Sequence, residues 1–176
     1  MATEELNEEV YTEGDTIFFF CDVTTKAVRD MCIQLKKLII THKKIKICIM
    51  SGGGELYAGY AGMDYIRMLV KQGIYIETIA YGFCASAAVD ILMSGSKRMM
   101  GKNSFILIHQ MAIDIGGTYT NLRADMRNNK QLMKRDRAAC EKYADIPPDV
   151  LDKLFKEDVN LSARKCLKYG IVHELI

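Results

Sequence analysis

Tyr81-Gly82-Phe83-Cys84-Ala85-Ser86-Ala87-Ala88-Val89-Asp90-Ile91-Leu92 is the stretch whose reading decides the fold. It joins a β-rich run, Ile74 to Ala80, to a short apolar helix with no polar linker between them. Gly82 permits a tight turn at the junction. Ser86 falls at the first turn of the helix, among small residues, beside free backbone N–H groups and the positive end of the helix dipole. Such a place suits a nucleophile and the oxyanion that its attack creates. Read alone, Ser86 is simply an N-cap, and the choice rests on residues far from it in the chain.

Before this stretch, strand and helix patterns alternate. Thr16 to Cys21 is a continuous apolar run, as for a strand covered on both faces. Val28, Met31, Cys32, Leu35, Leu38 and Ile39 recur at helical spacing. Ile45 to Met50 is a second strand, broken by Ser51-Gly52-Gly53-Gly54. Leu56, Gly59, Met63, Ile66 and Leu69 mark the next helix, which Gly73 ends. This rhythm predicts an α/β fold with parallel pairing and right-handed crossovers. Residues 1–14 read as a mobile or loosely docked arm.

After Gly95 come two short strand-like pieces, Arg98 to Met100 and Ser104 to Ile108. Met111 to Gly117 is irregular. A long helix, Tyr119 to Tyr143, follows with a sparse apolar face (Leu122, Met126, Leu132, Met133, Ala139, Cys140), a pattern suited to packing against a partner chain. Pro147-Pro148 opens a short helix through Phe155. Ser162 is a candidate cap for a helix from Ala163 to Tyr169, Gly170 is its C′ residue, and Ile171 to Ile176 forms a last strand.

The 176 residues fit one domain. A net charge of +2 gives no electrostatic case for nucleic acid or an anionic membrane. No apolar run approaches the ~20 residues of a membrane span, and the acidic start of the chain does not read as a signal peptide. Cys21, Cys32, Cys48, Cys84, Cys140 and Cys166 form no Cys-x-x-Cys pair, which suggests reduced thiols in a cytoplasmic protein. His42, His109 and His173 lack metal-like spacing to them, so no metal or cofactor is expected.

Three features carry chemistry. Ser51-Gly52-Gly53-Gly54 follows a strand and opens a helix, so its backbone N–H groups can face an anion. No Gly-Lys-Ser/Thr follows, which excludes a P-loop. His109 ends an apolar strand and can reach a cleft. Asp158 stands between a charged run and an apolar one. Asp90, four residues past Ser86, and Asp114, close to His109, are rival acids.

Gly53-Gly54, the run from Gly82 through Ser86-Ala87, Ile108-His109-Gln110, and Asp158 through Leu161-Ser162-Ala163 with Tyr169-Gly170-Ile171-Val172 resemble the ClpP family. This is the proteolytic subunit of the ATP-dependent Clp protease. The resemblance runs from about Thr16 to Ile176. It implies a ClpP/crotonase-type spiral of strand–helix units with a protruding handle, a strand plus long helix over about residues 111–143. It implies a serine peptidase with Ser86 as nucleophile, His109 as general base and Asp158 as the acid that orients it, in preference to Asp90 and Asp114. The backbone N–H groups of Gly53 and Ala87 match the oxyanion hole. Gly54, Glu55 and Leu56, opposite Met111, Ala112 and Ile113, match the groove for an extended peptide. Heptameric rings, a face-to-face tetradecamer and an AAA+ unfoldase partner are further implications. Ala87 stands where the family usually has methionine, Gly52 where it has proline and Glu157 where many members have arginine.

Other classes of protein share parts of this pattern. A catalytically silent ring subunit would assemble with an active homologue. A crotonase-like enzyme would act on acyl-CoA thioesters. A Ser–Lys peptidase would use Lys97 or Lys102 as base, and would survive substitution of His109.

Overall fold

Runs of β-branched and aromatic residues form the strands, and apolar residues at three- and four-residue spacing form the helices. The computed structural model describes residues 9–112 and 116–176. Along them run β1 (Val10–Glu13), β2 (Thr16–Phe19), α1 (Thr25–Leu38), β3 (Lys44–Ser51), α2 (Leu56–Lys71), β4 (Tyr75–Ala85) and α3 (Ala87–Met93). Then come β5 (Lys97–Met100), β6 (Phe105–Leu107), α4 (Tyr119–Tyr143), α5 (Pro148–Leu154), β7 (Asn160–Ser162), α6 (Ala163–Lys168) and β8 (Glu174–Leu175).

The strands make one eight-stranded sheet with the main order β1-β2-β3-β4-β5-β8. Pairing from β2 through β8 along this path is parallel, as the alternation of strand and helix predicts. The mixed α/β class expected from the sequence therefore stands. Buried side chains of α1 (Met31, Leu35), α2 (Ile66, Leu69) and α3 (Ile91, Leu92) join Ile17, Ile47 and Ile76 of the strands in one core.

Several expectations need correction. Val10–Glu13 is not a loose arm but an edge strand, antiparallel to β2, with Val10 buried opposite Phe19 and the Tyr11 ring stacked on Phe18 at 4.7 Å. Gly14, at φ +59, makes the tight connection. The β2 run is covered on one face only. Ile17 and Phe19 are fully buried, while Phe18 is half-buried and Phe20 exposed on the other side. The last strand shrinks to Glu174–Leu175. Met111, Ala112 and residues 116–118 form no strand before α4, and Ile113 to Ile115 lie outside the described residues.

The largest correction concerns β4, which runs on to Ala85 instead of ending at Ala80. Gly82, at φ +58, makes a bulge rather than a turn. Ile49 pairs with Ala80 and Ser51 with Cys84, so a two-residue step on β3 faces a four-residue step on β4. Extra residues of this kind bend a strand. Before the bend, Glu77 to Ala80 pair with β5; after it, Phe83 to Ala85 pair with β6, and β6 pairs antiparallel with β7. The branch carries the end of β4 into a smaller arm of the same sheet.

Two contacts lock the surroundings. A Cβ on Gly59 of α2 would lie 2.9 Å from the Cβ of Ala87, so only glycine allows α2 this close to the start of α3. The buried Arg98 guanidinium donates to the carbonyls of Ile171, Gly170 and Tyr143, each at 2.8 Å, and so ties the end of α4 to the C-terminal segment. Along α4 itself Cys140 is buried, whereas Tyr119 and Met126 are 74% and 65% exposed.

Candidate active site

The β4–β6–β7 arm of the sheet has a register that gathers three polar residues at one end. Ala85 pairs with Leu107, and Leu107 pairs with Asn160. Ser86 is the next residue after Ala85, His109 lies two beyond Leu107, and Asp158 lies two before Asn160 on the antiparallel strand. The backbone N–H of Ser86 continues the ladder, donating to the Leu107 carbonyl at 3.0 Å.

Ser86 has φ 54 and ψ −130, and it is the only non-glycine residue with positive φ among the described residues. Such backbone costs about 1–3 kcal/mol and is held only where the surroundings over-determine it. Here the Leu107 bond and the Val89 N–H, which donates to the Ser86 carbonyl at 2.9 Å, fix it. Ser86 occupies the N-cap position of α3, yet its side chain makes no capping bond. The capping explanation of this serine therefore fails, and the hydroxyl stands at the mouth of a cleft.

That cleft is lined by Ser86, His109 and Asp90, with Leu56, Met111 and Phe155 among its apolar walls. His109 is largely buried, and its Nδ1 lies 3.7 Å from Asp158 Oδ1, close enough for attraction but beyond a hydrogen bond. The Asp158 side chain is 77% exposed. An open pair of this kind contributes little stability; what it does is bias which ring nitrogen faces the acid, leaving Nε2 turned elsewhere.

Gly53 lies over Ser86. A Cβ there would sit 2.6 Å from Ser86 Cβ and 2.7 Å from the Ala85 carbonyl oxygen, and 3.3 Å from the Ala87 nitrogen. The residue is at φ +98, which side chains rarely adopt. Its N–H donates to the Ser51 hydroxyl at 3.2 Å, and its carbonyl accepts from Val23 N–H at 2.7 Å. Glu55 N–H donates to the Val23 carbonyl, also at 2.7 Å. Gly54 thus bridges to Val23 in parallel fashion, and a Cβ on it would strike the Val23 oxygen at 2.4 Å. The Glu55 carboxylate is drawn off to the Thr25 backbone N–H and hydroxyl, at 3.0 and 2.5 Å. Of the expected groove, Leu56 and Met111 reach the cleft, Ala112 is exposed, and Ile113 lies outside the described residues.

The rival acids separate. Asp114 lies outside the described residues. Asp90 is one turn into α3, 9% exposed, with its carboxyl pushed up to about 7 by burial first and then by Asp136. Asp136 of α4 also lines the cleft and is itself raised by burial, opposed by a short hydrogen bond from the Tyr60 hydroxyl and by Arg135. Sequence reading missed Asp136. The signal was present: Leu132, Asp136 and Cys140 follow at four-residue spacing, which puts an acid on the apolar stripe of a helix. Lys97 is paired with Glu174, at the far end of β4 where Glu77 pairs with it, so it does not serve Ser86 as base.

The chain has relatives among known proteins. The Clp protease family model matches residues 4–176. The ATP-dependent Clp protease proteolytic subunit of Deinococcus radiodurans is 30% identical over 137 residues, covering 77% of this chain and 66% of that protein. Proteolytic subunit 2 of Treponema pallidum is 31% identical over 157 residues, 88% of this chain and 76% of that protein. Proteolytic subunit 1 of Chlamydia pneumoniae is 26% identical over 180 residues, 98% and 92% of the two chains. With a strained serine, a histidine and an aspartate at adjacent strand ends, and the family model matched from residue 4 to the last residue, the chain belongs to the Clp protease family.

Proposed function

We propose that the protein is a serine endopeptidase of the ClpP type, acting on extended peptides or unfolded proteins. The observation that carries this reading is the shared register of β4, β6 and β7, which collects Ser86, His109 and Asp158 at one end of that arm of the sheet. Ser86 Oγ attacks the scissile carbonyl while His109 takes its proton. Asp158 holds the imidazole with Nδ1 toward it. The tetrahedral oxyanion is received by the N–H groups of Ala87 and Gly53, the latter exchanging its Ser51 hydroxyl partner for the oxyanion. His109 then protonates the leaving amine, an acyl-enzyme remains on Ser86, and water attacking the ester releases the acyl group.

The peptide lies along Gly54, whose neighbouring carbonyl and N–H are already used by Val23. In an extended segment the Gly54 groups face the opposite edge, where a substrate strand adds. Residues 1–176 form a single peptidase domain in this reading. The exposed length of α4 is the handle through which heptameric rings, one or two, close a chamber, and an AAA+ unfoldase delivers chains to it. The activity is placed in the cytoplasm, and no helix of the described residues is long and apolar enough to cross a membrane.

The 3.7 Å gap between His109 and Asp158 favours one second reading, a catalytically silent ring subunit. Cleavage of fluorogenic peptides by the purified oligomer separates the two. Turnover that disappears in Ser86→Ala with the ring intact supports the peptidase; an intact ring with equal rates in both proteins contradicts it.

A further inference from the structure

The cleft below Ser86 has the make-up of a selective pocket. Its walls are largely apolar, with Leu56, Val89, Met93 and Phe155 among them, and its polar side chains below the reacting end are Asp90 and Asp136. The two carboxylates are not equivalent. Asp136 accepts from the Tyr60 hydroxyl. Asp90 is nine-tenths buried, has no hydrogen-bond or ion-pair partner among the described residues, and lines the cleft. Arg135, the nearest cation acting on both acids, does not line the cleft. It stacks on the Tyr60 ring at 3.9 Å and extends toward Asp64.

A buried carboxylate without a partner is costly when charged, so it takes up a proton or meets a cation. Asp90 follows Ser86 by four residues, about one helical turn on along α3, and both line the cleft. The stem of a lysine or arginine covers such a span with methylene groups suited to apolar walls, and it carries its charge at the tip. We infer that this cleft receives a lysine or arginine side chain on the acyl side of the scissile bond, with Asp90 as its counter-charge and Asp136 in support. This selectivity rests on the peptidase reading of Ser86 and adds to it the class of substrate.

The test uses the assembled protein at pH 8, above the value near 7 to which burial and Asp136 push Asp90. Two peptidyl diphenyl phosphonates are compared, one with an aminobutyl (lysine-like) side chain and one with a butyl chain lacking the amine. Each bonds phosphorus to Ser86 Oγ and releases phenol, and intact mass gives the rate. A simple fluorophosphonate runs alongside. The expected preference for the amine is at least about tenfold, the scale of one charge-assisted hydrogen bond. It collapses toward unity in Asp90→Asn and falls part of the way in Asp136→Asn. Equal or faster reaction of the butyl compound overturns the inference, as does a preference that survives Asp90→Asn. Labelling by the fluorophosphonate but by neither peptide compound also overturns it and leaves the peptidase reading standing. No adduct with any of the three overturns both.

Discussion

A Cβ placed on Gly53 would lie 2.6 Å from the Cβ of Ser86, a separation that real side chains do not reach. The glycine is therefore required by contact with Ser86 as well as by its own φ of +98. Gly53→Ala must push the loop away from Ser86 or rotate its backbone. Because the N–H of Gly53 is one of the two proposed oxyanion donors, kcat is expected to fall by about 10²–10³-fold. Steady-state peptide cleavage measures this, with circular dichroism to show that the fold is retained. A variant with full activity would remove Gly53 from the oxyanion hole.

His109 and Lys97 make a contrast between two bases. Substituting His109 by Gln is expected to abolish turnover, whereas Lys97→Met, which loses only the Glu174 pair on the far side of the sheet, keeps peptide cleavage near wild type. Inverse behaviour would restore the Ser–Lys mechanism.

Asp158 is the weakest-held member of the proposed triad, 77% exposed and 3.7 Å from His109. Asp158→Asn leaves the ring geometry but favours the wrong imidazole tautomer, and kcat is expected to drop by up to about 10⁴-fold. Single-turnover acylation measured against pH distinguishes this from simple loss of structure. An unaltered rate would mean that another group orients the histidine.

Asp90 gives a stability prediction with a definite sign. Its carboxyl titrates near 7 in the folded chain, above the usual carboxylate value of 3.8, because burial and Asp136 disfavour the charge. A raised value means that the protonated form stabilises the fold. That contribution is whole below the unfolded value near 4 and is lost as pH rises through about 7. Asp90→Asn removes the charge altogether. It should therefore unfold with the same midpoint as wild type below pH 4 and be more stable above pH 7, by about 2–4 kcal/mol. Urea titrations at both pH values read the difference directly.

Arg98 donates to carbonyls from three separate stretches, at Tyr143, Gly170 and Ile171. Arg98→Met keeps the volume but leaves buried acceptors unsatisfied, with an expected loss of about 2–4 kcal/mol. A denaturant midpoint within error of wild type would show that water replaces the guanidinium freely.

Helix positions and the alternation of strand and helix were legible in the sequence because apolar spacing at 3.6 residues and unbroken β-branched runs leave few alternatives. The long β4 was not. Gly82 signals positive φ equally well in a turn and in a bulge, and only the four-residue offset against β3 decides between them. The edge strand Val10–Glu13 was hidden because only Val10 of its four residues is buried, and its place in the sheet depends on long-range pairing with β2. Ser86, His109 and Asp158 could be proposed from motif resemblance, but not brought together: their proximity depends on strand register, a long-range property. Asp136 escaped because its charge reads as a solvated helix face until the Tyr60 hydroxyl of α2 and the cleft are seen beside it. Nothing in the local sequence says that the Glu55 carboxylate caps a helix thirty residues earlier.

The most direct test of the central claim is labelling of the assembled protein with a fluorophosphonate, wild type beside Ser86→Ala, read by intact mass. One adduct per wild-type chain and none on the variant is the expected result. A folded wild-type protein that stays unlabelled, or a variant that still takes up the probe, would contradict an activated serine at position 86.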